Sequence, residues 1–205
     1  MKLIKAIVLI LTIGVMFIAP SYGQTSGDKM NTSGTALLIV DVQMFYFPGG
    51  ALPLVNPEPA ALKAKTLLEK FREMKLPVIH IKHNSKSGSD IHTYVQPIDG
   101  EKVILKDYAN SFRGTDLLEY LIQNRIKRLI ICGMQTHMCV EAATRAAVDY
   151  GFECVVIEDA CATRDLKYKD KVVKAEDVHY STLSALESSY AKVMNLDEFL
   201  KNPGF

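Results

Sequence analysis

Asp41, Lys106 and Cys139 supply a carboxylate, an ammonium and a thiol from three distant stretches of the chain. Asp41 closes the apolar run "ALLIVD", Lys106 closes "KVILK", and Cys139 follows "RLIICG" just ahead of the alanine-rich "VEAATRAAVDYG". Those types make a nucleophile, a group to take its proton, and a positive charge to steady both. Each alone has an ordinary reading: Asp41 as a loop cap, Lys106 as a solvated surface lysine, Cys139 as inert core. The signal lies in all three standing at or after the ends of strand-like runs.

The elements that must position them are legible as short β-branched runs. These are Ala36 to Asp41, Pro77 to His83, Lys102 to Lys106, Arg128 to Gly133, Glu153 to Glu158 and Tyr190 to Met194. Most lack alternation, the pattern of strands covered on both faces. Helical spacing falls between most of them: Leu67, Leu68, Phe71 and Met74; then Leu117, Leu118, Leu121 and Ile122; then Val140, Ala143, Ala147 and Tyr150, which Gly151 can close. A fourth helix is expected from about Asp170 to Ser188, with Val172, Glu176, His179, Leu183 and Leu186 on one stripe.

Strands alternating with helices imply right-handed crossovers and a mainly parallel sheet between helical layers, a doubly wound α/β domain. Ligands of such sheets bind beyond the carboxyl ends of the strands, near the point where strand order reverses. That rule brings Asp41, Lys106 and Cys139 to one edge. The loops Phe45 to Pro59 and Asn84 to Glu101 should wall the pocket. Phe45, Tyr46, Phe47, Tyr108 and Phe112 fall near this edge; Phe47, Tyr108 and Phe112 are the expected substrate contacts.

"LLIVDVQMFYFPGGAL", "GEKVILKDYANSFRGTDL" and "CGMQTHMCVEAATRAAVDYGFECVVIEDACATRD" resemble the three signature blocks of the isochorismatase-like cysteine hydrolases, which include nicotinamidases and N-carbamoylsarcosine amidases. The resemblance implies a three-layer α/β/α fold with a six-stranded parallel sheet, often in homo-oligomers. It also implies a catalytic Asp41, Lys106 and Cys139, and a cis Met134–Gln135 peptide aiming the N–H groups of Gln135 and Cys139 into one oxyanion hole. The substrate class implied is a small-molecule amide or carbamoyl compound.

With Thr136 as N-cap, Cys139 would be the third residue of a helix, where unpaired N–H groups and the positive end of the dipole favour a thiolate. Asp41 can accept the thiol proton, and both an ion pair and a neutral pair are open. His137 is two positions from Cys139 and should point away from the sulfur. His179, on the stripe of the last helix, reads as a core histidine or a site-lining one.

No metal and no cofactor is expected. Nicotinamidases of the family carry an Asp-x-His and a later His for a divalent ion, whereas "HIKHNSKSGSDIHTYV" lacks the Asp-Trp-His pattern. His80, His83, Asp90 and His92 remain the residues from which a site would have to be built, with His83 and His92 the nearest candidates. The thiol also argues against isochorismatase chemistry, whose vinyl-ether cleavage needs no cysteine.

The chain has 205 residues, and 1–23 read as a secretory signal: Lys2 and Lys5, an apolar run from Ala6 to Ala19, then Ser21 and Gly23. That run is shorter than the about 20 apolar residues of a membrane span. Residues 24–34 read as a flexible leader and 35–205 as one hydrolase domain. Export to a periplasm or the exterior is therefore expected. Losing Lys2 and Lys5 takes the formal charge from +1 to −1, and no basic footprint for nucleic acid is present. After cleavage a membrane is not an expected partner either. Among Cys132, Cys139, Cys154 and Cys161 there is no Cys-x-x-Cys pair, which disfavours a redox role; Cys132 with Cys154 is the one disulfide worth testing.

Overall fold

The computed structural model describes residues 34–85 and 88–203. The expected signal, and the leader apart from Gly34, lie outside the described residues.

Six parallel strands form the central sheet: β1 (Thr35–Val40), β2 (Val78–His83), β3 (Lys102–Lys106), β4 (Arg128–Met134), β5 (Glu153–Ala162) and β8 (Lys192–Met194), in the order β3-β2-β1-β4-β5-β8. Strand order reverses between β1 and β4, so the ends of those strands flank the crevice where ligands bind in such folds. Every residue of β1 is buried, because a layer of helices covers each face. On one face Leu37, Ile39, Ile130 and Cys132 pack against α1 (Pro57–Glu73) and α5 (Leu196–Lys201) through Leu67, Phe71, Leu196 and Phe199. On the other, Leu38, Val40, Leu129 and Ile131 meet α2 (Leu117–Gln123), α3 (Glu141–Asp149) and α4 (Ala175–Ser189) through Leu121, Ala143, Ala147 and Leu186. Each fully buried leucine or isoleucine here contributes about 1.5–3 kcal/mol.

Three differences from the sequence reading have physical causes. The fourth helix starts at Ala175, not near Asp170, because Leu166–Tyr168 (β6) and Lys171–Val173 (β7) form a small antiparallel hairpin. Its turn depends on Lys169 at φ 57, and Asp165 then accepts from the Ala175 N–H at 2.8 Å. Helix α5 was not anticipated, although Asn195 and Glu198 form a capping box at its start. Finally β3 is an edge strand covered on one face only: Ile104 and Lys106 are buried, whereas Val103 and Leu105 are exposed.

Gly133 couples β4 to β1 beside the strand ends. At φ 127, a Cβ there would lie 2.0 Å from the Val40 carbonyl oxygen, so only glycine permits this approach.

Candidate active site

Three strand ends deliver the three side chains. Asp41 is the first residue past β1 and takes the left-handed conformation (φ 48), uncommon for any residue with a Cβ. Lys106 is the last residue of β3, and the two-residue period that exposes Leu105 turns Lys106 inward. Cys139 comes from the turn after β4. Asp41 is fully buried, Lys106 is 1% exposed and Cys139 6%. The Lys106 Nζ lies 2.7 Å from Asp41 Oδ2 and donates to Cys139 Sγ at 3.4 Å. The same ammonium reaches the Tyr108 carbonyl oxygen at 3.0 Å and His83 Nδ1 at 3.2 Å.

The turn carrying Cys139 departs from the expected helix start. Thr136–Val140 make a single π-helical turn, and α3 begins only at Glu141. Thr136 does not cap it; its Oγ1 is 2.9 Å from His179 Nδ1, so His179 braces the turn from α4. Gln135 accepts instead, its carbonyl taking the N–H groups of Met138 (3.0 Å) and Val140 (3.3 Å). His137 turns to Thr163 Oγ1 at 2.6 Å. The Met134–Gln135 peptide is cis, as the resemblance implies. The Gln135 side chain donates to the Tyr46 hydroxyl and accepts from Arg164, both at 3.2 Å.

Burial, more than the helix end, sets the proton positions. It pushes the Cys139 thiol up to about 12, aided by the neighbouring Asp41 charge and only partly opposed by Lys106. Of the two states the sequence leaves open, burial favours the neutral thiol over the thiolate that the helix start would favour, because with the sulfur almost out of water a negative charge beside Asp41 is costly. Burial also raises Asp41 despite the pull of Lys106. The sulfur is therefore held as the neutral thiol, with the Asp41 carboxyl and Lys106 Nζ 2.7 Å apart beside it.

A cavity of about 620 Å³ opens on Cys139. Phe45, Tyr46, Leu52 and Met138 give it an apolar wall, and His83, Asn84 and Gln135 a polar one. Of the aromatics expected at this edge, Phe45 and Tyr46 line the cavity, whereas the expected substrate contacts Phe47, Tyr108 and Phe112 do not. Phe47 is buried and stacks on His92 with centroids 3.8 Å apart. The Tyr108 ring lies under the Arg113 guanidinium, and only its carbonyl enters the site. Phe112 packs with Phe152 in the core and against the exposed Tyr150. Loop residues carry no periodicity to fix their direction, so proximity in sequence was a poor guide.

Gln43 completes the Asp-x-Gln motif at the end of β1, but the sequence assigns it no role. Fully buried, it accepts from the His83 N–H (2.7 Å) and donates to the carbonyls of His83 (3.0 Å) and Ser89 (2.6 Å). It thus ties the end of β1 to the end of β2 and the loop beyond.

The remaining histidines have other partners. His80 Nε2 is 2.8 Å from Glu101, and His92 Nδ1 accepts from the Tyr94 N–H. Among the described residues no group of three or more His, Cys, Asp or Glu side chains is arranged to hold a metal ion. All four cysteines are free. Cys132 faces the α1 side of the sheet and Cys154 the opposite side, and Cys154 pairs in register with Leu129, so a bridge between them is geometrically barred.

Residues 35–198 match the Isochorismatase domain family model, and the chain belongs to this family of hydrolases. It is 44% identical over 178 residues to the uncharacterized isochorismatase family protein YddQ of Bacillus subtilis, covering 82% of this chain and 99% of YddQ. A streptothricin hydrolase of Streptomyces noursei is 31% identical over 142 residues, 64% of this chain and 50% of that protein. Among solved structures, a candidate isochorismatase hydrolase from Oleispira antarctica superposes with a TM-score of 0.80 at 43% identity, covering 87% of this chain and all of that one (100%).

Proposed function

We propose that this hydrolase cleaves a C–N bond, amide or carbamoyl, of a small molecule through a thioester on Cys139. The observation that carries the reading is the convergence of Asp41 and Cys139 on the Lys106 nitrogen, at 2.7 and 3.4 Å, with Cys139 lining the cavity.

Cys139 sulfur attacks the substrate carbonyl carbon while its proton passes to Asp41, so no free thiolate has to persist in a buried site. The C=O electron pair moves to oxygen, and the N–H groups of Gln135 and Cys139 hold that charge. Collapse of the tetrahedral species breaks the C–N bond as Asp41 returns the proton to the leaving nitrogen. Asp41 then takes a proton from water, the hydroxide attacks the thioester carbon, the C–S bond breaks, and the sulfur recovers the proton from Asp41. Lys106 favours the ionised form of Asp41 against burial and lies close enough to offset charge on sulfur.

Export rests on the character of residues 1–23, and self-association on the family resemblance; both belong to this proposal. The test is a screen of small amides, carbamoyl compounds and nicotinamide for ammonia release, with Cys139→Ala as the blank. Release that Cys139→Ala abolishes supports the reading. A protein inert to the whole panel, with Cys139 unreactive toward alkylation, would favour a binding protein on the same fold.

A further inference from the structure

His83 stands at the end of β2, and the reaction as written makes no use of it. It is one of the residues lining the cavity, and the Gln43 amide fixes its main chain on both sides. The contact with Lys106 decides where its proton sits. An ammonium only donates, so Nδ1 accepts, and a neutral imidazole then carries its single proton on Nε2. Burial and the charge of Lys106 on β3 both lower the His83 pKa, outweighing Asp41 after β1 and Asp107 after β3, so the ring is neutral at pH 7. Among the described residues none accepts from Nε2–H. A neutral donor on the polar side of the cavity, across from Phe45, Tyr46, Leu52 and Met138, is suited to an uncharged acceptor on an apolar body.

We propose that His83 is a substrate-contacting residue whose Nε2–H donates to an uncharged acceptor of the substrate, so that the site selects neutral amides with an apolar body. The inference rests on the amidohydrolase reading but can be tested without turnover.

Two thiol reagents on the intact protein separate the possibilities. Methyl methanethiosulfonate has no amide and reports the sulfur alone, whereas iodoacetamide presents a primary amide to the wall as it alkylates. Asparagine at this position retains an acceptor near the Nδ1 site, and glutamine a donor near the Nε2 site. His83→Asn should lower the iodoacetamide rate, relative to methyl methanethiosulfonate, by about fivefold to tenfold, the loss of one neutral hydrogen bond, and His83→Gln should keep the ratio within about twofold of wild type. Equal ratios in wild type, His83→Asn and His83→Ala would overturn the proposal. So would an equal fall with both reagents in His83→Asn, which would leave the ring holding Lys106 and nothing else. If the ratio behaves as expected while no amide in the screen releases ammonia, the His83 contact stands and the hydrolase reading fails.

Discussion

Asp41 and Glu101 are both carboxylates withdrawn from water beside a cation, yet they differ in how many donors surround them. Glu101 receives the Arg72 guanidinium through two bonds (2.7 and 2.8 Å), the Ile98 N–H at 3.0 Å, and lies 2.8 Å from His80. Burial alone would raise it; those donors outweigh burial and hold it at about 2. Asp41 has Lys106 and the Cys139 thiol, which do not outweigh burial, and its pKa is raised. A carboxylate saturated with donors is a structural anchor, fixed in its charged form. One short of donors remains able to take a proton and give it back, which is what acid–base work requires.

The sharpest way to break this contrast is at the site itself. Cys139→Ala should reduce kcat by at least about 10⁴-fold, and Asp41→Asn by about 10²–10⁴-fold, in ammonia-release assays on the best amide of the screen. If Asp41→Asn retained most of its activity, the proton shuttle would have to be placed elsewhere. Lys106→Met, which leaves Asp41 buried without its cation, should cost about 10²-fold in kcat and raise the pH at which activity is lost in acid.

Glu101→Gln should show the reverse profile: stability lower by about 1–3 kcal/mol in urea titrations, with kcat within about twofold of wild type. The pH dependences should also separate. Because the Glu101 pKa is lowered on folding, its contribution to stability is complete above the usual 4.5 and lost as pH falls toward about 2, so wild type but not Glu101→Gln should lose this increment over that window. The proposed reaction starts from ionised Asp41, so the acid limb of kcat/KM should lie above the 3.8 of an ordinary aspartate. An acid limb at or below that value would remove the distinction between the two carboxylates.

The parallel sheet and its six strands could be read from the chain because β-branched runs between helical spacings leave few other folds. The hairpin at Leu166–Val173 could not, because Val172 and Val173 fit a helical stripe as well as a strand; the left-handed Lys169 decided the matter. At the site, Asp41, Lys106 and Cys139 were legible because each stands at or after a strand end, where the topology limits which way a residue can lie. Phe47, Tyr108 and Phe112 misled because loop residues obey no such limit. The role of Gln43 was hidden for another reason: its partners, His83 and Ser89, lie about forty residues away.

The sequence by itself determined which chemical groups reach the carboxyl edge of the sheet, since strand length and alternation follow from local residue types. Only the tertiary structure decided their protonation and their neighbours. Burial of Cys139, the donor-poor surroundings of Asp41 and the bond between Lys106 and His83 each depend on segments that meet only when the sheet is complete, and a pKa answers to that assembled surrounding.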